Sequence, residues 1–204
     1  MKKLISVFLA LASLVTLLLL CSCGETAKNY TAEIVVRDYG TITVYLDGET
    51  APITVNNFVK LANEGFYDGL TFHRIMAGFM IQGGDPNGNG SGGSAEKIKG
   101  EFADNGVKNT ISHKRGVISM ARSGENPWYG ITAEMAYNSA SSQFFIVHED
   151  SVFLDGQYAA FGWVTSGMDV VDAICADAKP TDNNGTIPAA NQPVIESVRV
   201  TEAK

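Results

Sequence analysis

The feature that most constrains the fold is a series of short β-prone runs separated by turn residues. Valine, isoleucine, threonine and aromatic residues cluster in these runs, and glycine, asparagine and aspartate lie between them. The predicted strands span residues 32–36, 41–46, 71–75, 79–82, 117–121, 143–147, 158–164 and 194–200. Apolar residues recur at helical spacing in two places, 52–64 and 168–176. Many short strands with two helices predict an antiparallel barrel or sandwich.

The stretch FHRIMAGFMIQGGD, residues 72–85, combines one permanent cation with an amide and a run of apolar side chains. Alternate residues of a strand share a face, so Arg74 and Met76 are expected on one face, and Met80 and Gln82 share a face after the break at 77–78. A guanidinium and an amide beside an apolar surface suit an uncharged substrate that is partly apolar and partly carbonyl. The alternative is a barrel strand whose arginine extends along the surface.

The N-terminus has the pattern of a secretory signal. Lys2 and Lys3 precede an apolar run at 4–20, which ends in Leu-Cys-Ser-Cys. This end resembles a bacterial lipobox, and Cys23 fits the acylated position because a small residue precedes it. We therefore expect a lipoprotein signal peptide at 1–22, a lipidated tether at 23–31 and a domain at 32–204. The protein would be exported and anchored on the extracytoplasmic face of a bacterial membrane. An uncleaved membrane anchor is the alternative.

Charge and cysteine content exclude other classes of function. The chain has 15 Lys and Arg against 22 Asp and Glu, for a net charge of −7, and no basic block. Binding to nucleic acid is therefore not expected. Beyond the leader only Cys175 remains, so no internal disulfide can form, and its apolar helical surroundings predict a buried thiol.

No spacing of side chains predicts a metal or a cofactor. The histidines at 73, 113 and 148 are scattered, without the cysteine, histidine or carboxylate spacing of a zinc or calcium site. A G-x-G-x-x-G pattern at 88–93 is not followed by an apolar helix, so we interpret it as a surface loop and not as a dinucleotide site.

Five blocks of sequence, in order, resemble the cyclophilin family of peptidyl-prolyl cis-trans isomerases. They are FHRIMAGFMIQGGD at 72–85, GVISMAR at 116–122, SSQFFI at 141–146, LDGQYAAFG at 154–162 and GMDVV at 167–171. The resemblance implies a closed eight-stranded antiparallel β-barrel capped by two α-helices. It also implies an isomerase of X–Pro bonds that needs no cofactor or metal, acts on proline-containing polypeptides and is a monomer.

The same resemblance implies roles for individual residues. Arg74 would be catalytic, with Gln82 beside it. The remaining substrate-binding set would be Phe79, Met80, Phe145 and Leu154 around the proline, Ala121 and Gln143 along the peptide before it, and Phe153 and Tyr158 as further contacts.

Several positions depart from the family pattern. Phe153 stands where the family often has tryptophan, Tyr158 where it often has histidine, and Arg122 where it has asparagine. Phenylalanine lacks the indole N–H that contacts cyclosporin in tryptophan-bearing cyclophilins, so binding of cyclosporin-like inhibitors is expected at reduced affinity. The loop at 122–142 is long, and its Trp128, Tyr129 and Tyr137 would either recognise peptide or pin the loop to the barrel.

Three functions fit these residues. The first is an exported isomerase that assists protein folding outside the cytoplasm. The second is a non-catalytic module or holdase that binds proline-containing segments, and the third is a barrel for a non-peptide ligand. Arg74 and Gln82 together favour the enzyme, since binding alone does not require the arginine.

Overall fold

The computed structural model describes residues 27–203. The predicted signal peptide, Cys23 and the start of the tether therefore lie outside the described residues. The first strand begins at Tyr30, within the segment assigned to the tether. Within the described part of the chain, no helix has both the length and the apolar content needed to cross a membrane.

Eight strands form one antiparallel sheet, which confirms the mainly β prediction. The strands are β1 (Tyr30–Val36), β2 (Gly40–Leu46), β3 (Phe72–Met76), β4 (Met80–Gly83), β5 (Val117–Met120), β6 (Phe144–Val147), β7 (Ala160–Ser166) and β8 (Ile195–Glu202). Their order across the sheet is β3-β4-β6-β5-β7-β2-β1-β8, and every ladder is antiparallel. The helices are α1 (Pro52–Asn63), α2 (Ala133–Tyr137) and α3 (Met168–Asp177).

Helix α1 begins at a proline and packs its apolar side against the sheet. Proline suits the first helical turn because its ring fixes φ and its missing N–H has no partner there in any case. The carboxylate of Glu101 accepts the next free donors, the N–H groups of Ile53 at 3.1 Å and Thr54 at 2.8 Å. Phe58 on the buried side is fully enclosed. A distant acid thus supplies the N-terminal cap that the helix's own sequence lacks.

The main core lies on one face of the central strands. Phe144 of β6 contacts Phe58 of α1 at a ring-centroid distance of 5.6 Å, and Phe58 contacts Phe161 of β7 at 5.4 Å. The other face of β4, β5 and β6 bears a smaller apolar cluster that includes Met80, Phe145 and Val147. Successive strand residues point to opposite faces, so neighbouring residues of one short strand enter different clusters. We call this second surface the groove face.

The prediction of a closed barrel is wrong, because the sheet is an open half-barrel. Its terminal strands, β3 and β8, share no ladder. A loop occupies the free edge of β3 instead. The N–H of Ile75 donates to the carbonyl of Gly185 at 2.8 Å, and the N–H of Ile187 donates to the carbonyl of His73 at 3.0 Å. The two ends meet only at the starts of these strands, through the isolated bridge of Thr71 and Val194 and through hydrogen bonds such as that from the N–H of Phe72 to the carbonyl of Pro193 at 3.0 Å.

Residues 27–203 contain three α-helices and not the two predicted, because α2 lies within the long loop at 122–142. Thr132 caps this helix, since its hydroxyl accepts the N–H of Met135 at 3.3 Å. Ala136 is its one buried residue. A helix this short shows no apolar period in the sequence, so its stability depends on the cap and on tertiary contacts.

Helix α3 confirms the second predicted helix and the prediction for Cys175. Val171 and Ile174 are fully buried on its inner side. Cys175 is buried beside them, and burial raises the pKa of its thiol to about 11. The thiol is therefore protonated at neutral pH and packs as a small apolar group.

Candidate active site

A groove of about 730 Å³ opens on the groove face, beside β3 and β4. This volume is in the range of sites that hold small ligands or a few residues of a peptide. Nine of the ten predicted catalytic and substrate-binding residues line it: Arg74, Phe79, Met80, Gln82, Ala121, Phe145, Phe153, Leu154 and Tyr158. We call this the main groove. The tenth, Gln143, lines an adjoining hollow with Lys97 and Arg122, which we call the side pocket.

The β3–β4 hairpin places Arg74 beside Gln82. Gly78, with φ of 82°, forms the turn, and the register of the hairpin then pairs Arg74 directly with Gln82. The Nη1 of Arg74 donates to Oε1 of Gln82 at 3.1 Å, and its Nε donates to the carbonyl of Asn184 at 2.7 Å. The guanidinium is therefore held from two sides, with its plane at the wall of the groove.

The charge of Arg74 is not neutralised by a carboxylate within residues 27–203. Partial burial of the guanidinium lowers the pKa of Arg74, and the nearby Tyr158 and Asp182 oppose that shift. Arginine remains charged across the physiological range in any protein environment. The groove therefore contains a permanent cation, and the described residues form no ion pair with it.

A chain of amides extends from Arg74 towards the side pocket. Gln82 uses its carbonyl oxygen for Arg74, and its Nε2 donates to Oε1 of Gln143 at 2.9 Å. The Nε2 of Gln143 donates in turn to the carbonyl of Gly92 at 2.7 Å. Each amide has both ends engaged, so the orientation of the whole chain is determined.

The floor of the main groove is apolar. Met80, Phe145 and Leu154 are buried there, with 1%, 5% and 8% of their surfaces exposed. Phe79 stands at one side with its ring centroid 5.7 Å from that of Phe153. Phe153 itself is 65% exposed, so it forms part of the rim and not the floor. The floor thus offers a recess for a compact apolar group within reach of the guanidinium.

A buried polar network supports this floor from below. The imidazole of His113 stacks on Phe145 at a centroid distance of 6.1 Å. Its Nδ1 lies 2.8 Å from Oδ1 of Asp155, and its Nε2 lies 3.0 Å from Oγ of Ser119. Burial lowers the pKa of His113, although Asp155 acts in the opposite direction. The neutral imidazole therefore links β5 to the segment that carries Leu154.

Sequence reasoning missed several residues that line the main groove. Asn184 and Thr186 come from the loop along β3, which the sequence places only in a polar stretch. Arg122 was noted as a departure from the family pattern, and its position next to Ala121 was the signal that it borders the groove. His73 is 4% exposed, and neither ring nitrogen has a hydrogen-bond partner among the described residues. Burial lowers the pKa of His73, so the ring is neutral at physiological pH.

The arrangement suits recognition of an amide that carries an apolar ring. Arg74 supplies directed N–H donors, and the floor supplies a recess without charge. In residues 27–203, no three histidine, cysteine, aspartate or glutamate side chains are grouped as metal ligands.

Comparison with known proteins identifies the family. The sequence profile described as cyclophilin type peptidyl-prolyl cis-trans isomerase matches residues 31–204. The chain is 45% identical over 139 residues to peptidyl-prolyl cis-trans isomerase B of Bacillus subtilis, covering 68% of this chain and 86% of that protein. It is 38% identical over 201 residues to peptidyl-prolyl cis-trans isomerase A of Dickeya dadantii, covering 93% of this chain and 96% of that protein.

A solved structure agrees with the sequence comparisons. The cyclophilin type isomerase of Cryptosporidium parvum, crystallised in the presence of the dipeptide Ala-Pro, superposes with a TM-score of 0.69 and 26% identity. The match covers 85% of this chain and 99% of that one. Sequence profile, relatives and structure all give the same answer, and the protein belongs to the cyclophilin-type peptidyl-prolyl cis-trans isomerases.

Proposed function

We propose that Arg74 is the catalytic residue of this isomerase, and that the enzyme acts on exported or cell-surface proteins as they fold. The reaction is rotation about the peptide bond that precedes a proline. This bond has a barrier of about 18–20 kcal/mol, because the nitrogen lone pair is shared with the carbonyl. Without catalysis an X–Pro bond isomerises in tens to hundreds of seconds.

Arg74 lowers this barrier by binding the twisted amide more tightly than either planar form. In the twisted state the lone pair returns to the proline nitrogen, which becomes a better hydrogen-bond acceptor. A donor directed at that atom stabilises the transition state in preference to the ground states, and this difference is what accelerates a reaction. No bond is made or broken, so no nucleophile or general base takes part.

The observation that carries the proposal is the way in which the guanidinium is held. The carbonyl of Asn184 and the side chain of Gln82 engage two of its nitrogens, at 2.7 and 3.1 Å. Its remaining donors lie beside the apolar floor, and Nη2 is 3.2 Å from Sδ of Met76, a weak acceptor that a substrate can replace. A pre-oriented donor requires little rearrangement when the amide twists.

The other groove residues position the substrate. Met80, Phe145 and Leu154 hold the proline ring in the floor, with Phe79 at its side. Gln82 orients Arg74 and offers its amide to the peptide backbone. Ala121 and Gln143 border the peptide before the proline, and Phe153 and Tyr158 contact the substrate from the rim.

Substitution of Arg74 tests the catalytic role. Arg74→Ala should lower kcat/KM about 10²–10³-fold while peptide binding weakens much less, because the lost donor acts mainly in the transition state. Arg74→Lys should restore only part of the rate, since an ammonium lacks the planar fork. Exchange of a proline peptide measured by NMR gives both rate and affinity.

Arg37 provides a matched control, because it is a surface arginine paired with Glu196 at 3.2 Å and does not line the main groove. Arg37→Ala should turn over peptide at the wild-type rate. Near-normal turnover by Arg74→Ala would exclude this mechanism and leave the family assignment unaffected.

The rate should also be independent of pH between about 6 and 9. Arginine does not titrate in this range. Burial lowers the pKa of His73 and of His113, which favours the neutral form of both rings next to the groove. A rate that rises or falls tenfold per pH unit in this interval would show that a titrating group takes part in the reaction.

We propose further that the enzyme reaches exported substrates through a lipid on Cys23. The basic, apolar and Leu-Cys-Ser-Cys order of the first residues supports cleavage before Cys23. Two or three acyl chains hold a protein firmly to a bilayer, whereas one holds it weakly. Cys23→Ser should leave the protein unanchored or unprocessed, and Cys21→Ser is the matched control that should remain in the membrane fraction. Mass spectrometry that finds unmodified Cys23 in membranes would contradict this part.

A further inference from the structure

The lining of the main groove and the side pocket has a charge opposite to that of the protein. The chain carries a net charge of −7. Yet the residues that line the two hollows include three cations, Arg74, Arg122 and Lys97, and no aspartate or glutamate. A cleft lined by one sign of charge concentrates ligands of the other sign. The groove therefore favours acidic peptides, although the whole protein repels them.

The arginines outside these hollows differ from those inside in that they form ion pairs with carboxylates. All five arginines of the chain lie within residues 27–203. Three form ion pairs with surface carboxylates, at 3.2 Å for Arg37, 2.7 Å for Arg115 and 2.7 Å for Arg199. Arg74 and Arg122, which line the groove, form no ion pair with any described carboxylate. Arg74 is engaged in the proposed reaction, which leaves Arg122 as a cation without an assigned role.

Arg122 is fixed in place by its surroundings. Its Nε donates to the carbonyl of Gln157 and its Nη1 to the carbonyl of Ser123, both at 2.9 Å. Its Cζ lies 4.7 Å from the ring centroid of Tyr158 and 5.1 Å from that of Tyr137. Such contacts hold an arginine without neutralising it. Binding of a ligand to Arg122 therefore costs little conformational entropy of the arginine side chain, because that side chain is already ordered.

Arg122 also lies where the two hollows meet. It lines both of them, as do Gln82 and Ala121, so an extended peptide can pass from one to the other without a break. An extended chain advances about 3.3 Å per residue. With proline in the main groove and the preceding residues along Ala121, the side pocket lies along the path of the residues before the proline.

We propose that the side pocket is a subsite for an acidic side chain of the substrate, with Arg122 as the residue that determines this specificity and Lys97 as a second, weaker contributor. The proposal rests on the orientation of the peptide in the proposed function. It predicts that the enzyme prefers proline segments with aspartate or glutamate upstream of the isomerising bond.

Nearby carboxylates are already engaged elsewhere, so they do not occupy this subsite. Glu96 precedes Lys97 in sequence but pairs with Lys60 at 2.8 Å. Asp182, on the far side of Arg74, accepts the N–H groups of Asn184 at 2.9 Å and Thr186 at 3.0 Å. A substrate carboxylate therefore meets the cations of the side pocket without a competing acid among the lining residues.

The test uses three peptide series that carry Glu, Gln or Lys at the second and then at the third position before proline. The wild type should turn over the Glu peptide about 3- to 10-fold better than the Gln peptide at one of these positions, and the Lys peptide least well. The difference should shrink between low salt and about 1 M salt, because salt screens exposed charges. Equal turnover of all three peptides, or a preference for Lys, would overturn the proposal.

Substitutions test whether Arg122 is responsible for the preference for Glu peptides. Arg122→Gln should reduce the Glu-to-Gln ratio to about one, and Lys97→Gln should reduce it in part. Lys99→Gln is the charge-matched control, since Lys99 is exposed and lines neither hollow, and it should keep the wild-type ratio. A ratio that survives Arg122→Gln would refute the assignment. If Arg122→Gln does not fold, the proposal is tested by Lys97→Gln and by the salt dependence of the wild type. An unchanged Glu-to-Gln ratio in both measurements would refute it.

Binding of the same peptides, measured by calorimetry, separates this proposal from the catalytic one. Tighter binding of the Glu peptide in the absence of turnover would support the subsite and contradict the role of Arg74. Turnover without any charge preference in binding or rate would support Arg74 and contradict the subsite.

Discussion

The two faces of β4, β5 and β6 use the same backbone for different purposes. On the core face, Ile81, Phe144 and Ile146 are completely buried and contact other apolar side chains. On the groove face, Met80 and Phe145 are almost as deeply buried, but they lie beside the polar Gln82, Ser119 and the His113 imidazole. Residues one position apart in sequence therefore belong to the fold in one case and to the site in the other.

The difference shows which face can accept polar groups. A buried polar atom is tolerated only when it has a partner, and the partners on the groove face are supplied by other groove residues and by loops. The core face offers few such partners, because the main core is closed by α1 and α3; one is the carbonyl of Ser142, which accepts the hydroxyl of the buried Tyr67 at 3.3 Å. The polar groups of the site therefore lie on the face where loops and other groove residues supply hydrogen-bond partners.

The largest expected effect comes from removing one aromatic ring from each face of β6, which tests whether the two faces have different roles. Phe144→Ala should lower the free energy of unfolding by about 3–5 kcal/mol, because the enclosed main core cannot collapse around the cavity. Phe145→Ala should lower it by less, since its side opens to the groove, but should strongly reduce kcat/KM. Urea unfolding and peptide turnover measure the two effects. A larger stability loss for Phe145→Ala would mean that the groove face also holds the fold together.

Acid provides a second test, directed at the polar network of the groove face. Burial lowers the pKa of His113 in the folded protein below the ordinary value of about 6.5. The unfolded chain then binds a proton before the folded one does, so stability is full above pH 6.5 and declines as pH falls below it. The decline is at most about 1.4 kcal/mol per pH unit for one histidine. His113→Gln should make the decline shallower in urea titrations, and an unchanged decline would contradict this account.

A smaller effect, on inhibitor affinity, is expected from substitution of Phe153 at the rim of the groove. Phe153 is 65% exposed and provides no hydrogen-bond donor from its side chain. Phe153→Trp adds an indole N–H, and one such bond is worth about 0.5–1.5 kcal/mol. We expect cyclosporin to bind a few-fold to roughly tenfold more tightly, with little change in turnover. Calorimetry that finds equal or weaker binding would show that Phe153 does not limit inhibitor affinity.

The smallest expected effect on stability lies in the loop at 122–142, where the structure separates its aromatic residues. Tyr137 packs on Phe102 at 5.4 Å, whereas Trp128 and Tyr129 are 96% and 83% exposed. Trp128→Ala should therefore change the free energy of unfolding by less than about 0.5 kcal/mol. If Trp128 recognises peptide, the same change shifts the order of preferred substrates. A large fall in melting temperature with substrate order unchanged would instead show that Trp128 pins the loop.

Local sequence was sufficient for the parts of the molecule that depend on local patterns. The eight strands follow from β-prone runs. Alternation gave the shared face of Met80 and Gln82, whereas the position of Gln82 beside Arg74 was implied by the family resemblance, and the hairpin register pairs the two residues. Helix α2 was missed because its cap and one buried alanine leave no period in the sequence. The half-barrel was missed because closure depends on which partner reaches the edge of β3, and that partner is a polar loop far along the chain. The position of Arg122 is fixed by contacts with Tyr158 and Tyr137. These residues are distant in sequence from Arg122, so local sequence patterns do not predict the contacts.

The loop along β3 has a consequence for an enzyme that binds extended polypeptides. An open sheet exposes a row of backbone donors and acceptors to which an extended polypeptide can add as a further strand. In this protein the loop at 185–187 takes the edge of β3, and the carboxylate of Asp68 accepts the N–H of Val198 on β8 at 3.2 Å. The edge of β3 is thereby covered, and one donor on the edge of β8 is satisfied. We expect a polypeptide substrate to bind through its proline in the groove and not by addition to the edge of β3.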